Sequence, residues 1–338
     1  MNDEATASTA PVAVIGAGSW GTALALQFAR RGCEVHLWGR DRDQLEALAR
    51  DRENRRYLPG AAFPDNLHIV ADLAECLRRA DIVLIAVPSH ALRETLRRLQ
   101  PLLDESARIC WATKGFELTS GKLPHQVVEE ELGAARPMAV LSGPTFAREV
   151  GEGLPTALTI AASENRFAAE LAATLSGDNF RAYTSSDMAG VEVGGAVKNV
   201  LAIGAGISDG LGFGANTRIA LINRGLVEMT RLGVALGARQ ETFMGLAGMG
   251  DLVLTCTDDL SRNRRMGLLL AGGKTIEEAQ RQIDQVVEGV LAAKAVRQVA
   301  KKLGVEMPIC QQVYSVLHEG TPAREAVGNL MRRSLKPE

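Results

Sequence analysis

Cysteine is scarce and unpatterned in this chain. Cys33, Cys76, Cys110, Cys256 and Cys310 are odd in number, scattered, and without C-x-x-C spacing. That distribution argues against a disulfide framework or a metal site and suits reduced thiols, most of them in a core, in a cytoplasmic protein. Excess charge is lacking as well: 38 lysines and arginines face 40 aspartates and glutamates, a net charge of −2. Nothing in that balance draws the whole chain toward nucleic acid or an anionic membrane. No apolar run is expected to reach the length of a bilayer span, so no integral membrane segment is expected either. The opening MNDEATASTAP lacks the basic start and apolar core of a signal peptide and reads as a disordered leader. Repeats and low-complexity tracts are missing too. What remains is 338 residues, 46% of them hydrophobic, a globular chain of two domains or one large one with a sizeable core.

From Val12 the chain reads VAVIGAGSWGTALALQFARRG, a β-branched run, then G-x-G-x-x-G at Gly16, Gly18 and Gly21, then helical periodicity as far as Gly32. Strand before and helix after are what a dinucleotide-binding turn requires: glycines for the turn, and helix N-terminal amides to hold a pyrophosphate. Trp20, inside the motif, is open to two readings, packing or a cover over the cofactor. The next strand, EVHLWGR, ends at Arg40, where the adenosine ribose should lie. An arginine there suits the 2′-phosphate of NADP, and Asp41 beside it leaves NAD open.

Strand and helix continue to alternate, with a helix from about Arg42 to Arg52 and a polar connection through Pro64. Apolar strands then run into Val87-Pro88, into Lys114-Gly115 and into the turn Ser142-Gly143-Pro144-Thr145. Loops after such strands lie at the carboxyl edge of an open α/β sheet, where ligands bind. Lys114 thus falls on the ligand side, and so does His90, which reads better as a partly exposed residue at a helix start. After Ser185 the texture changes to long helical segments broken by glycine clusters. The expected architecture is α/β, a Rossmann-type dinucleotide-binding domain over 11–185 followed by an all-α domain over 186–338.

In that second half, Val191 to Arg224 sets Lys198 in the middle of a small, apolar run, between Gly194-Gly195-Ala196-Val197 and Val200-Leu201. Lysine is rarely buried there without a reason. On a helix, Gly194 and Gly195 share a face with it, which suggests a gap through which a small molecule reaches the amine. The competing reading is a lysine whose stem lies on apolar surface while its ammonium reaches water. Farther on, GLAGMGDLVLTC places Asp251 after a glycine-rich turn, able to meet that lysine. In DDLSRNRRMG, Ser261 reads as a helix N-cap with Arg262 and Asn263 in the first turn, a combination suited to a phosphate. TIEEAQRQI carries a capping-box signature in Thr275 and Glu278.

VAVIGAGSWGTALA, ATKGFE, SGPTFA, GGAVKNVLAIGAGISDGLGFGANTRIALINRGLVEM, GLAGMGDLVLTCT and SRNRRMG together closely resemble the bacterial NAD(P)-dependent sn-glycerol-3-phosphate dehydrogenases, from about Pro11 to Gly328. The resemblance implies reversible reduction of dihydroxyacetone phosphate to glycerol 3-phosphate with NADPH or NADH, supplying the backbone of phospholipids. By that resemblance Ser19, Trp20, Arg40, Ala147, Arg262, Val286 and Glu288 contact the cofactor, with Lys114 touching both cofactor and substrate. Gly143, Thr145, Lys198, Asp251, Ser261, Arg262 and Asn263 form the substrate site, and Lys198 transfers the proton while Lys114 and Asp251 assist. A homodimer is one assembly that the resemblance admits. Two rival readings of the residues stay open: another lysine-dependent two-domain hydroxy-acid dehydrogenase, and a nucleotide-sensing protein without turnover. A histidine-based enzyme fits less well, since the helical half holds only His318.

Overall fold

The structure is a computed structural model and describes residues 10–334. Its strands, in chain order, are β1 (Val12–Ile15), β2 (Val35–Trp38), β3 (Glu53–Asn54), β4 (Leu58–Ala62), β5 (Leu67–Ile69), β6 (Ile82–Ile85), β7 (Arg108–Trp111), β8 (Met138–Ser142), β9 (Thr156–Ala162) and β10 (Phe180–Ser185). All but β3 and β4 form one sheet in the order β5-β2-β1-β6-β7-β8-β9-β10. Every neighbouring pair is parallel except β8 and β9. Val12–Ile15 and Ile82–Ile85 are fully buried apolar runs, as central parallel strands covered on both faces must be. Since β1 pairs with β2 on one side and β6 on the other, the strand order reverses there. A crevice opens beyond the carboxyl ends at such a point, and the glycine turn follows β1 directly. The Rossmann-type fold expected for this half is the one found.

The connection read as merely polar contains structure: β3 and β4 pair as an antiparallel hairpin. Pro59 and Gly60 within it mask the strand pattern.

By their contacts the residues fall into two units, one running to Lys114 and resuming over Pro124–Val191, the other made of Gly115–Leu123 and the chain from Glu192 onward. The second unit is helical, as expected. Its longest helix begins at Met188, just before the division, and runs to Gly210. One expectation fails here, because this 23-residue helix is long and apolar enough by composition to cross a membrane. Its apolar stretch is entirely buried within the protein, so it serves as a core helix. Small residues let its neighbours approach. A Cβ on Gly206 would collide with the carbonyl oxygen of Arg264, and one on Gly267 with that of Ile203. The backbones of Met188–Gly210 and Arg262–Ala271 therefore cross almost in contact.

Candidate active site

In the first unit the helix Ser19–Arg30 opens at Gly18 without any side-chain cap and without an acidic residue in its first turn. Its leading amides and the positive end of its dipole are left for an anion. The three motif glycines do different work. Gly16 has φ 124° and faces the Ala86 carbonyl, and a Cβ on Gly21 would strike the Gly16 carbonyl. Around Gly18, by contrast, a Cβ would meet nothing within 4 Å. Two glycines thus build the turn while the third keeps an open approach, an arrangement that fits a dinucleotide pyrophosphate. Trp20 packs against the core, and its buried Nε1 has no hydrogen-bond partner. Of the two readings offered for it, packing is the one with contacts behind it.

Asn54, on the overlooked hairpin, is a residue that sequence reasoning missed. Its Nδ2 donates to the Ala17 carbonyl at 3.2 Å and to Thr22 Oγ1 at 2.8 Å, with Gln44 Nε2 reaching the same carbonyl at 2.6 Å. Together they fix the glycine turn from below. At the end of β2, Asp41 caps the helix Arg42–Asp51 by accepting from Gln44 N at 3.2 Å. Arg40 is exposed and has no ionic partner among the described residues. Lys114, half-buried, follows β7; Gly143 and Thr145 follow β8, and Ala147 opens the helix Ala147–Glu152. Since β1, β6, β7 and β8 run parallel, the glycine turn, Lys114, Gly143 and Thr145 lie on one edge of the sheet. His90 is exposed in the first turn of Ser89–Leu99.

In the second unit Lys198 is 6% and Asp251 1% exposed, and the lysine ammonium donates to Asp251 Oδ1. It also donates to Thr255 Oγ1 at 3.1 Å, while that hydroxyl donates to the Asp251 main-chain oxygen at 2.6 Å. The ammonium therefore does not reach up to water: it is held inside by a carboxylate. Thr255 was not anticipated, although its place one turn after Asp251 on Asp251–Thr257 sets both on one face. What precedes Asp251 is a π-helical segment, Leu246–Gly250, rather than a turn. This segment also corrects the reading of Gly194, where a Cβ would collide with the Ala247 carbonyl. The glycine admits backbone, not a ligand. Burial pushes the Cys256 thiol up to about 12, so the neighbouring sulfur stays neutral.

Ser261 caps Arg262–Ala271, its hydroxyl accepting from Arg264 N at 3.2 Å. Arg262 is half-buried, touches Gln285 Oε1 at 3.4 Å and has no carboxylate partner among the described residues. Its guanidinium keeps donors for an anion. Asn263 is committed to the fold: its Nδ2 donates to Asn199 Oδ1 at 2.9 Å and its Oδ1 accepts from Gly289 N at 2.9 Å. Asn199, next to the lysine, also donates to Glu288 Oε2 at 3.3 Å. A chain of amides thus ties the lysine helix, the arginine helix and the start of Glu288–Leu303. Val286, just before it, is 52% exposed. No His, Cys, Asp or Glu cluster among the described residues could hold a metal.

An uncapped glycine-turn helix on a switch-point sheet, and a helical unit with a buried lysine–carboxylate pair and an arginine that has no carboxylate partner among the described residues, define the class of two-domain dinucleotide-dependent dehydrogenases. Comparison with known proteins narrows the class. Residues 11–168 match the family described as NAD-dependent glycerol-3-phosphate dehydrogenase N-terminus, and residues 187–328 match its C-terminus. The chain belongs to that family. It is 56% identical over 331 residues to glycerol-3-phosphate dehydrogenase (NAD(P)+) of Thioalkalivibrio sulfidiphilus, covering 98% of this chain and 99% of the relative. With the enzyme of the same name from Pseudoalteromonas translucida it shares 53% over 332 residues, 98% and 99% of the two chains. The crystal structure of glycerol-3-phosphate dehydrogenase from Coxiella burnetii superposes with a TM-score of 0.93 at 48% identity, covering 96% of this chain and 99% of that one.

Proposed function

We propose that this protein is an NAD(P)-dependent glycerol-3-phosphate dehydrogenase that reduces dihydroxyacetone phosphate to sn-glycerol 3-phosphate, reversibly and in the cytoplasm. The observation that carries the reading is the buried Lys198–Asp251 pair in a chain of this family. Five free, buried cysteines suit a reducing compartment. The nicotinamide, when bound, supplies the hydride that goes to the carbonyl carbon. Gly16, Gly18, Ser19 and Gly21 receive the pyrophosphate on the uncapped helix start, with Arg40 set for a 2′-phosphate and Ala147, Val286 and Glu288 along the rest of the nucleotide. Lys198 hydrogen-bonds the substrate oxygen, polarises the carbonyl, and gives up a proton as negative charge develops there. Asp251, accepting from that ammonium, keeps it aimed, while Lys114 adds positive charge for the same oxygen. Arg262, with the amides after Ser261, holds the substrate phosphate, and Gly143 and Thr145 complete its binding. Because the phosphate sets the position of the carbonyl, its grip contributes to rate as well as affinity.

The experiment is a nicotinamide absorbance trace with purified protein. Addition of dihydroxyacetone phosphate should consume NADPH, and NADH in parallel, with glycerol 3-phosphate as product. Binding of nucleotide without its oxidation would replace this reading by a sensing role, and turnover of a hydroxy acid or keto acid instead would replace it by the other lysine-dependent reading.

A further inference from the structure

Arg264 stands two residues beyond the phosphate-directed Arg262, and its side chain is only 9% exposed. Three bonds leave its guanidinium. Nε donates to the carbonyl oxygen of Cys256 at 3.1 Å, Nη2 to Asp209 Oδ2 at 2.6 Å, and Nη1 pairs with Asp259 Oδ1. Each partner belongs to a different carrier of the reaction. Cys256 lies in the last turn of Asp251–Thr257, beside Thr255; Asp209 lies in the last turn of the helix that carries Lys198; Asp259 lies in the loop that leads to Ser261 and Arg262.

We propose that Arg264 is a positioning residue for the reduction, one rigid fork that sets the lysine helix, the aspartate helix and the phosphate-binding loop in mutual register. Three observations support this. A carboxylate at Asp209 opposes the negative end of its helix dipole, and the fold answers with two arginines on the same oxygen, Arg264 and Arg218, the latter at 2.8 Å. A planar guanidinium can serve three acceptors in fixed directions, which an ammonium cannot. Gly206 and Gly267 bring the two helix backbones close enough to leave no slack in that fork. Stability alone would be met as well by apolar packing, since the buried Arg264–Asp209 pair costs desolvation on both partners, while Asp259 is exposed. The fork's return is therefore geometric: the Lys198–Asp251 bond and the Arg262 head keep a fixed relation.

This inference rests on the function proposed above, and its test separates the two. Full-length wild type, Arg264→Lys, Lys198→Met and the double variant are compared for melting temperature, NADPH affinity, kcat and KM with dihydroxyacetone phosphate. Arg264→Lys keeps a charge opposite Asp209 but gives up the bond to Cys256. It should melt near wild type and bind NADPH as wild type does, yet lose kcat by roughly 10- to 100-fold, the scale of a misplaced reacting group, with a raised KM. In the Lys198→Met background the same change should cost little further kcat. Asp209→Asn should show a weaker loss in the same direction, and it decides the matter if Arg264→Lys does not fold. A substrate-free arm measures the pH midpoint for acylation of the Lys198 amine by a small amine-reactive reagent, read by peptide mass; the midpoint should move in Arg264→Lys. A folded Arg264→Lys with wild-type kcat, KM and labelling midpoint overturns the proposal, as does a kcat loss that multiplies fully with that of Lys198→Met. A wild type inactive on dihydroxyacetone phosphate but with the labelling shift in Arg264→Lys would overturn the function and leave the positioning role standing.

Discussion

At the scale of single residues, charge in the interior separates into groups that act and groups that hold. Lys198, in the proposed reaction, is of the first kind. Lys198→Met keeps most of the stem's volume and removes the ammonium, so turnover should fall by about a hundredfold or more while NADPH affinity stays near wild type; a folded variant with the parent rate would return the lysine to a packing role. Arg40→Asp should weaken NADPH far more than NADH, because it sets a carboxylate against a 2′-phosphate. Equal losses in steady-state kinetics with the two nucleotides would contradict that. Glu228 is of the second kind. Buried at 4% exposure, it accepts from the amides of Ile309 at 2.6 Å and Cys310 at 3.1 Å, at the start of Pro308–His318. Burial pushes its carboxyl up to about 7, against the bonds from those amides and the lesser pull of Arg231. An acid raised in the folded state binds its proton more tightly there than when unfolded. Its favourable contribution is complete below the unfolded value of about 4.5 and is lost as pH rises through about 7. Melting temperature should therefore decline across that window more steeply in wild type than in Glu228→Gln, which carries a pH-independent cost instead. Parallel profiles from thermal melts at stepped pH would contradict it.

Elements show which signals a sequence carries. Local chemistry was legible: the glycine turn, the cap at Ser261, and the capping box in which Thr275 and Glu278 bond reciprocally all follow from residues a few positions apart. The lysine and its carboxylate were legible from their improbable placement in apolar surroundings. Contacts between distant segments were not. Asn54 sits in a hairpin disguised by Pro59, Gly60 and the charged Arg55-Arg56. Asn199 and Asn263 find each other only once three helices have packed. Gly194 was misread for the same reason, since nothing near it in the chain announces the Ala247 carbonyl. The glycines of the helix crossing offer a direct test. Gly206→Ala forces the Arg264 main chain away, and overpacking of this kind costs about 1–3 kcal/mol. Its urea midpoint should fall accordingly. A variant as stable as wild type would mean that the crossing can open without cost.

For the molecule as a whole, the chain leaves its first unit after Lys114, contributes Gly115–Leu123 to the second, and returns at Pro124. Phe116 and Leu123 in that excursion are 2% and 1% exposed, and a Cβ on Gly121 would stand 3.0 Å from Val299. A fragment ending at Val191 should therefore display an uncovered apolar segment. It should run as aggregate in size exclusion, and replacing 115–123 by a glycine-serine linker should restore a monomeric peak that binds NADPH. A well-behaved unmodified fragment would show that the segment is indifferent to the helices it joins.

The helix Met188–Gly210 is made before the partners that bury it, Arg262–Ala271 and Glu288–Leu303. During synthesis it presents to the cell the length and hydropathy of a bilayer span. Lys198 sits at its middle, where one lysine disfavours insertion by about 2.5–3.5 kcal/mol. The amine proposed to protonate the substrate thus also weighs against insertion of the nascent helix into a bilayer, before any active site exists.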